Sequence, residues 1–358
     1  MIYRPGSITD ITAGYNLIIP NGPIHSPTEN RLDENAYLID LEGEVRHKWQ
    51  SDAGLKYGVL LPNGNLLART RAPESLAPDV PTFPGSSSAI IEIDWDSNPV
   101  WIYEDKLLHH DFFRLETGNT VFLVWEPIPV SIISSIKGGA DSSLDQELMY
   151  GDVLREVDSH GKVVWEWKSW EHLNFEHQVI CPIENRSEWT HANSIYVMPD
   201  DNVLVSLRNT NMVIIIEKLT GDVIWEWGST YLEHQHHATL LDPNKILVLD
   251  NRTHKNRGAR VIVVDITSKK IVWEYSGLHN EKFRAPYAGS VDKLSNGNWL
   301  ICQGSEGKAF EIDAAGNRLW EYTSPYFIPN ESGELSNGLF RVHRYPLNYS
   351  AFEGKQLG

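Results

Sequence analysis

The sequence is poor in cysteine, in methionine and in cations. Its two cysteines, Cys181 and Cys302, cannot build a disulfide framework or a four-cysteine zinc site. Lys plus Arg is 31 against 48 Asp plus Glu, a formal net charge of −17 over 358 residues. That balance excludes a general nucleic-acid binder, which needs cations to neutralise phosphate, and an electrostatic membrane binder. There is no run of about 18 apolar residues, so no transmembrane helix is expected. The N-terminus carries no basic stretch ahead of an apolar core. No secretory signal is read there, and a cytoplasmic location is expected. At 41% hydrophobic and 22% charged, the chain is globular rather than disordered.

Tryptophan is what the chain has in excess, at 13 residues. Most of them belong to a repeat. Val163-Val164-Trp165-Glu166-Trp167 returns as Val223-Ile224-Trp225-Glu226-Trp227, as Ile271-Val272-Trp273-Glu274-Tyr275 and as Arg318-Leu319-Trp320-Glu321-Tyr322. Weaker copies end at Trp49 and Trp101-Ile102-Tyr103. Each copy alternates at period 2 behind a Gly- or Asn-bearing turn, which predicts a hairpin strand. An earlier hairpin in each unit is also legible, for example Leu60 to Leu67 around Asn63-Gly64 and Leu294 to Trp299 around Asn296-Gly297. The unit period, roughly 45 to 65 residues, is that of a four-stranded propeller blade.

The first strand-like segment, Gly14 to Ile19, lacks a partner, and the segment Gly338 to Tyr345 supplies one. The expectation is therefore an all-β, six-bladed β-propeller closed by a C-terminal strand joining the N-terminal blade. It is read as a single domain over residues 1–358. Long rim loops are expected at about 70–88, 126–150 and 168–190, with a short helical turn at 170–173. The repeated tryptophans are read as inter-blade packing. Trp125, Trp170 and Trp189 lie outside the repeat, and ligand stacking is a lesser alternative for them.

Propeller sites lie where the innermost strands begin. Counting back eight residues from each inner turn reaches His110, Asn193, His236 and Gly289, and ten residues reaches His191, His234 and Tyr287. The two-residue period of a strand puts these on one face. Adjacent loops add Arg208, Asn251, Arg252, Arg257 and Arg260. Three chemistries suit histidines beside arginines: a clamp for a tetrahedral oxyanion with an imidazole nucleophile, a His or Tyr base for β-elimination, and chelation of a divalent metal. The plainer alternative is that the histidines hydrogen-bond backbone in a watery channel.

Trp189-Thr190-His191-Ala192-Asn193-Ser194 and His234-Gln235-His236-His237, followed by Leu249-Asp250-Asn251-Arg252, resemble the inner-strand motifs of the arylsulfotransferase (arylsulfate sulfotransferase-like) family. His109-His110-Asp111-Phe112 and Gly338 to Pro346 resemble it too, and the resemblance runs from about residue 14 to 352. It implies a six-bladed propeller. It also implies transfer of a sulfuryl group from a phenolic ester to another phenol, without a nucleotide donor, through a sulfated histidine. Carried over, His191 and His236 would bind the sulfate oxygens and Arg260 would neutralise the group, with Arg252 its rival. The sequence departs from the pattern late in the chain. Ala285 to Ser290 contains no histidine, and His343 is the one that follows.

The expected catalytic residues are thus His191, His236, His110, Tyr287 and Arg260. The expected substrate-binding residues are Asn193, Arg208, His234, Asn251, Arg252, Trp189 and His343. No metal ligand or cofactor is assigned. The expected partner is a small-molecule or glycan anion, not nucleic acid or membrane. A lyase or hydrolase on the same scaffold, or a non-catalytic binding propeller, are the other readings.

Overall fold

The computed structural model describes residues 2–3, 10–21, 34–70, 83–140, 147–255, 257–277, 283–329 and 335–357. Residues 71–82 and 141–146, in two of the expected rim loops, lie outside these. The fold is all-β, with six antiparallel sheets of four principal strands each, the blades of a six-bladed β-propeller. Helix is confined to single turns, among them Ser169–His172 where the sequence predicts one. Among the described residues no helix is long and apolar enough to cross a membrane.

The chain divides into two compact units. One comprises Met1–Thr82, Ser87–Lys106 and Tyr275–Gly358; the other comprises Phe83–Ser86 and Leu107–Glu274. Each holds three blades. In the first unit the sheet of Tyr15–Ile18, Ala36–Ile39 and Val45–Trp49 is completed by His343–Tyr345, which pairs with Tyr15, Asn16 and Leu17. This is the expected joining of the C-terminal strand to the N-terminal blade. In the second unit the third blade starts at Leu108–Arg114, the fourth at Ala192–Val197 and the fifth at His236–Asp242.

The core lies between neighbouring sheets rather than on one side of them. Val213, Ile215, Trp225 and Trp227 of the fourth blade pack on Val248 and Ile262 of the fifth. Strands buried on both faces need continuous apolar runs, which is why Met212–Ile216 reads MVIII and is buried throughout.

The repeated tryptophans also reach outward to the next blade. Trp165 Nε1 donates to the Lys218 carbonyl at 3.1 Å and Trp167 Nε1 to Gly221 at 2.9 Å. One blade further on, Trp225 and Trp227 donate to Ile266 and Lys269, both at 3.0 Å. In the first unit Trp320 donates to Leu41 at 2.9 Å. Each indole thus fills the gap between sheets and caps a carbonyl of the neighbour's outer turn.

An aspartate holds that outer turn in four blades. Asp40, Asp94, Asp158 and Asp313 each accept the N–H groups two and four residues on, at 2.8–3.0 Å. These are Asx turns, which tighten the chain without help from tertiary contacts.

Candidate active site

The second unit gathers the histidines at the start of its three first strands. These segments are not regular. The pairing register slips between Phe122 and Leu123, between Ala192 and Ser194, and between His236 and Thr239. His110, His191, His234 and His237 all have positive φ, between 42° and 56°. Bulges and left-handed residues break the two-residue alternation on which the count from the turns relies. The side chains are therefore re-aimed one by one, at a backbone cost typical of functional sites.

His109 and His110 are adjacent, and their Nδ1 atoms lie 2.9 Å apart. His109 is fully buried, stacked on Trp125 at 4.0 Å, with its Nε2 3.3 Å from Asp152 Oδ1. Burial pushes its imidazole below the ordinary value, so the ring is neutral. A proton on His109 Nε2, facing the carboxylate, makes its Nδ1 the acceptor and His110 Nδ1 the donor. His110 then carries its lone pair on Nε2.

Gly85 lies over that nitrogen. A Cβ there would sit 2.2 Å from both Cε1 and Nε2 of His110, and the Gly85 carbonyl accepts the His110 N–H at 2.9 Å. Asp152 is tied down separately, accepting from Thr190 Oγ1 and from the Ala192 N–H.

The His191 ring meets His110 edge-on at 4.5 Å. Its Nδ1 is 2.8 Å from Oε1 of Glu188, three residues earlier in the short strand Glu188–Trp189. His236 Nδ1 faces Asn251 Oδ1 at 2.8 Å and the His234 carbonyl at 3.1 Å. Both are acceptors, so the proton is on Nδ1. In His236 two acceptors hold Nδ1 and leave Nε2 as the basic nitrogen, whereas His191 Nδ1 lies beside the Glu188 carboxylate without a hydrogen bond to it.

His234 is turned differently. Its Nε2 is 3.3 Å from His254 Nε2, and its Nδ1 is 3.4 Å from Glu184 Oε1. Burial, with the charges of Arg208 and His254 adding to it, pushes its imidazole down to about 2.

The arginines separate into two kinds. Arg260 is spent on structure: Nε bonds Asp250 at 2.8 Å, Nη1 bonds Glu274 at 2.9 Å, and Nη2 bonds the Tyr231 carbonyl at 2.6 Å. Arg208 pairs with Glu184 at 3.0 Å and Asn209 at 2.8 Å. Arg252, in a left-handed conformation (φ 51°), has no side-chain acceptor among the described residues, and its Nε is buried. Burial lowers its affinity for a proton, and Arg260 and Arg257 lower it further. A guanidinium in that position is the one able to take an anion.

Asn193 is fully buried and donates to the Gln235 carbonyl at 2.8 Å, a link between the fourth and fifth blades. Trp189 is fully buried as well, its Nε1 on the Gln178 carbonyl at 2.9 Å, so it offers no open face.

Tyr287 and His343 belong to the other unit. Tyr287 is exposed. His343 forms part of a chain that the sequence pattern does not reveal: Asp292 Oδ2 lies 2.8 Å from His343 Nδ1, and His343 Nε2 lies 3.3 Å from the Tyr57 hydroxyl. Arg341 Nη1 donates to the same hydroxyl at 3.1 Å.

Glu188, Asp152, Gly85 and Tyr57 escape a reading of the sequence because they lie off the counted positions. Glu188, three residues before His191, is the one within reach of a local pattern.

The arylsulfotransferase (ASST) family model matches residues 86–325, two-thirds of the chain. The chain belongs to the arylsulfotransferase family. The match spans the whole histidine cluster of this family member. A solved protein of unknown function from Bacteroides caccae is similar at 13% identity with a TM-score of 0.57, covering 93% of this chain and 99% of that one, and shares the fold. Streptogramin B lyase (9% identity, TM-score 0.47, 96% and 98% covered) and virginiamycin B lyase from Staphylococcus aureus (11%, 0.46, 91% and 88%) are more distant likenesses. No curated protein matches this arylsulfotransferase-family chain.

Proposed function

We propose that the protein transfers a sulfuryl group between phenols, with His236 as nucleophile. The observation that carries this is the His236 imidazole, whose Nδ1 is held by Asn251 and the His234 carbonyl so that Nε2 is the basic nitrogen, with the Glu188 carboxylate 2.8 Å from Nδ1 of His191.

The partners differ in charge, which separates the roles. His236 leans on an amide and a carbonyl and stays a neutral nucleophile. His191 lies beside the Glu188 carboxylate, a placement that suits an acid–base group. His236 Nε2 attacks sulfur, the bond from sulfur to the aryl oxygen breaks, and the His191 imidazolium gives its proton to the departing phenolate. An acceptor phenol then loses its proton to His191 and attacks the sulfohistidine, which restores His236. Arg252 neutralises the sulfuryl oxygens throughout. His110 packs against the His191 ring and holds it in place. The free thiols of Cys181 and Cys302 suit a reducing compartment and support the cytoplasmic assignment.

The test is phenol-stimulated release of nitrophenol from nitrophenyl sulfate. Release that is lost in His236→Ala and kept in Arg260→Lys supports the assignment. Absence of turnover over a panel of aryl sulfates and phenols refutes it.

A proton-abstraction enzyme is the second reading, favoured by the Asp292–His343–Tyr57 chain with Arg341 on the phenol. It calls for ultraviolet absorbance of an unsaturated product from anionic substrates, abolished in Tyr57→Phe. No such absorbance would remove it.

A further inference from the structure

Cys181, His234 and His254 come from three separate segments, and each is anchored through its backbone. The Cys181 N–H donates to the Asn209 carbonyl at 2.7 Å, that of His234 to Asn211 Oδ1 at 2.8 Å, and that of His254 to Glu233 Oε2 at 3.1 Å. Their donor atoms converge. Cys181 Sγ is 3.2 Å from His254 Nε2, and the two Nε2 atoms are 3.3 Å apart. All three donors lie within 4.8 Å of one another.

A tetrahedral zinc ion, with bonds of about 2.0–2.1 Å to nitrogen and 2.3 Å to sulfur, separates N from N by about 3.3 Å and S from N by about 3.6 Å. The observed edges fall within about 0.4 Å of those values.

A second observation points the same way. The ring edge of His234 away from the cluster faces a carboxylate, with Nδ1 3.4 Å from Glu184 Oε1. Arg208 Nη1 pairs with the same oxygen at 3.0 Å. A ligating imidazole is normally oriented in this way, one nitrogen on the ion and the other on a carboxylate.

Access is also present. His254 is exposed, and Cys181 lines a cleft of about 460 Å³ together with His177, Asn211 and Glu226.

We propose that Cys181, His234 and His254 bind a thiophilic divalent cation of the zinc class, with the fourth position open to water or an anion. Thiolate and imidazole select such an ion over magnesium or calcium, which take oxygen. The ligand set is asymmetric and leaves one position free, as in sites that polarise a bound oxygen rather than in closed structural ones. Its donor atoms are not those of the His191–His236 pair, although the His234 carbonyl also holds His236 Nδ1, and the proposal does not depend on sulfuryl transfer.

The full chain, stripped with a chelator and titrated with Zn²⁺ or Co²⁺, tests it. One ion per chain is expected, and the Co²⁺ form should show a sulfur-to-metal charge-transfer band and the strong visible absorption of a tetrahedral ion. Cys181→Ser should lose the charge-transfer band, and His254→Ala should lose stoichiometric binding. Glu184→Gln should weaken affinity by about 10- to 100-fold. Zn²⁺ should also protect Cys181 of the unsubstituted chain from alkylation, a readout that needs no variant. Sub-stoichiometric metal, a Co²⁺ spectrum without the sulfur band, unprotected Cys181, or full binding by His254→Ala each overturns the proposal.

Discussion

Gly85→Ala is the substitution that bears most directly on how the histidines are held. Two costs separate cleanly there. The first is conformational: Gly85 has φ +87°, a region that costs an L-residue about 1–2 kcal/mol. The second is steric. The new Cβ would lie 2.2 Å from Cε1 and Nε2 of His110 and 2.6 Å from Cδ2, where ordinary contact begins at 3.4 Å. The ring must retreat by about 1 Å, yet it is buried, bonded to His109 Nδ1 and packed on His191. Breaking that bond and repacking the ring adds about 1–3 kcal/mol.

Gly118 provides the control, with φ +88° and nothing within 4 Å of where its Cβ would stand. Gly118→Ala should cost the conformational part alone, and Gly85→Ala should cost about 2–5 kcal/mol in all. Denaturant unfolding of the two variants measures the difference. Turnover should follow, because a displacement of this size passed from His110 to the His191 ring it packs on costs about 100-fold. Equal stability and equal turnover in the two variants would show that His110 is not fixed from above by this loop.

Three further outcomes follow from the geometry. Trp167→Phe loses the bond to the Gly221 carbonyl and leaves space beside it, about 2–3 kcal/mol by chemical denaturation. Val164→Thr on the exposed face of the same strand should stay within about 0.5 kcal/mol, and a smaller loss in the tryptophan variant than in this one would refute the latch. His109 is held neutral by burial, whereas the unfolded chain protonates it below about pH 6.5. Its contribution is therefore complete above that pH and is lost as pH falls, by up to about 1.4 kcal/mol per unit, and the unfolding midpoint of His109→Gln should change less between pH 7 and pH 5 than that of the parent. Glu188→Gln should lower kcat for aryl sulfate by about 100-fold with KM little changed, since it leaves His191 in place but removes the carboxylate charge 2.8 Å from its Nδ1. An equal rise in KM would mean that Glu188 only binds.

Some features can be read from the residues because they are local and repeated. The outer tryptophans and the turn aspartates act over a few residues or one blade, and six copies make a weak pattern plain. The partner for Gly14 to Ile19 is also legible, since an unpaired edge requires one. The site is legible in part. The count from the turns puts His110 and His236 at one position and His191 two residues earlier, and the structure shows the His110 and His191 rings in contact. The directions of these side chains are not legible, because each strand carries a bulge and His110, His191, His234 and His237 have positive φ. Arg260 and Arg252 look alike as letters. Only the positions of Asp250 and Glu274 show that one is engaged and the other is not. A count of cysteines passes over Cys181, because it tests for disulfides and four-thiolate zinc. A site that takes one thiolate and two imidazoles from distant loops leaves no spacing to recognise.

The pairing of Tyr15–Ile18 with His343–Tyr345 has a consequence in time. Arg344 Nε bonds Asn16 Oδ1 across 328 residues. At the usual pace of about 5–20 residues per second, the ribosome needs roughly 15 to 65 s between making one partner and the other. For that interval the first sheet of the nascent chain has an open edge and half of its neighbours. A chaperone that shields Tyr15–Ile18 during synthesis would raise the yield of folded protein, whereas one recruited after release would arrive too late.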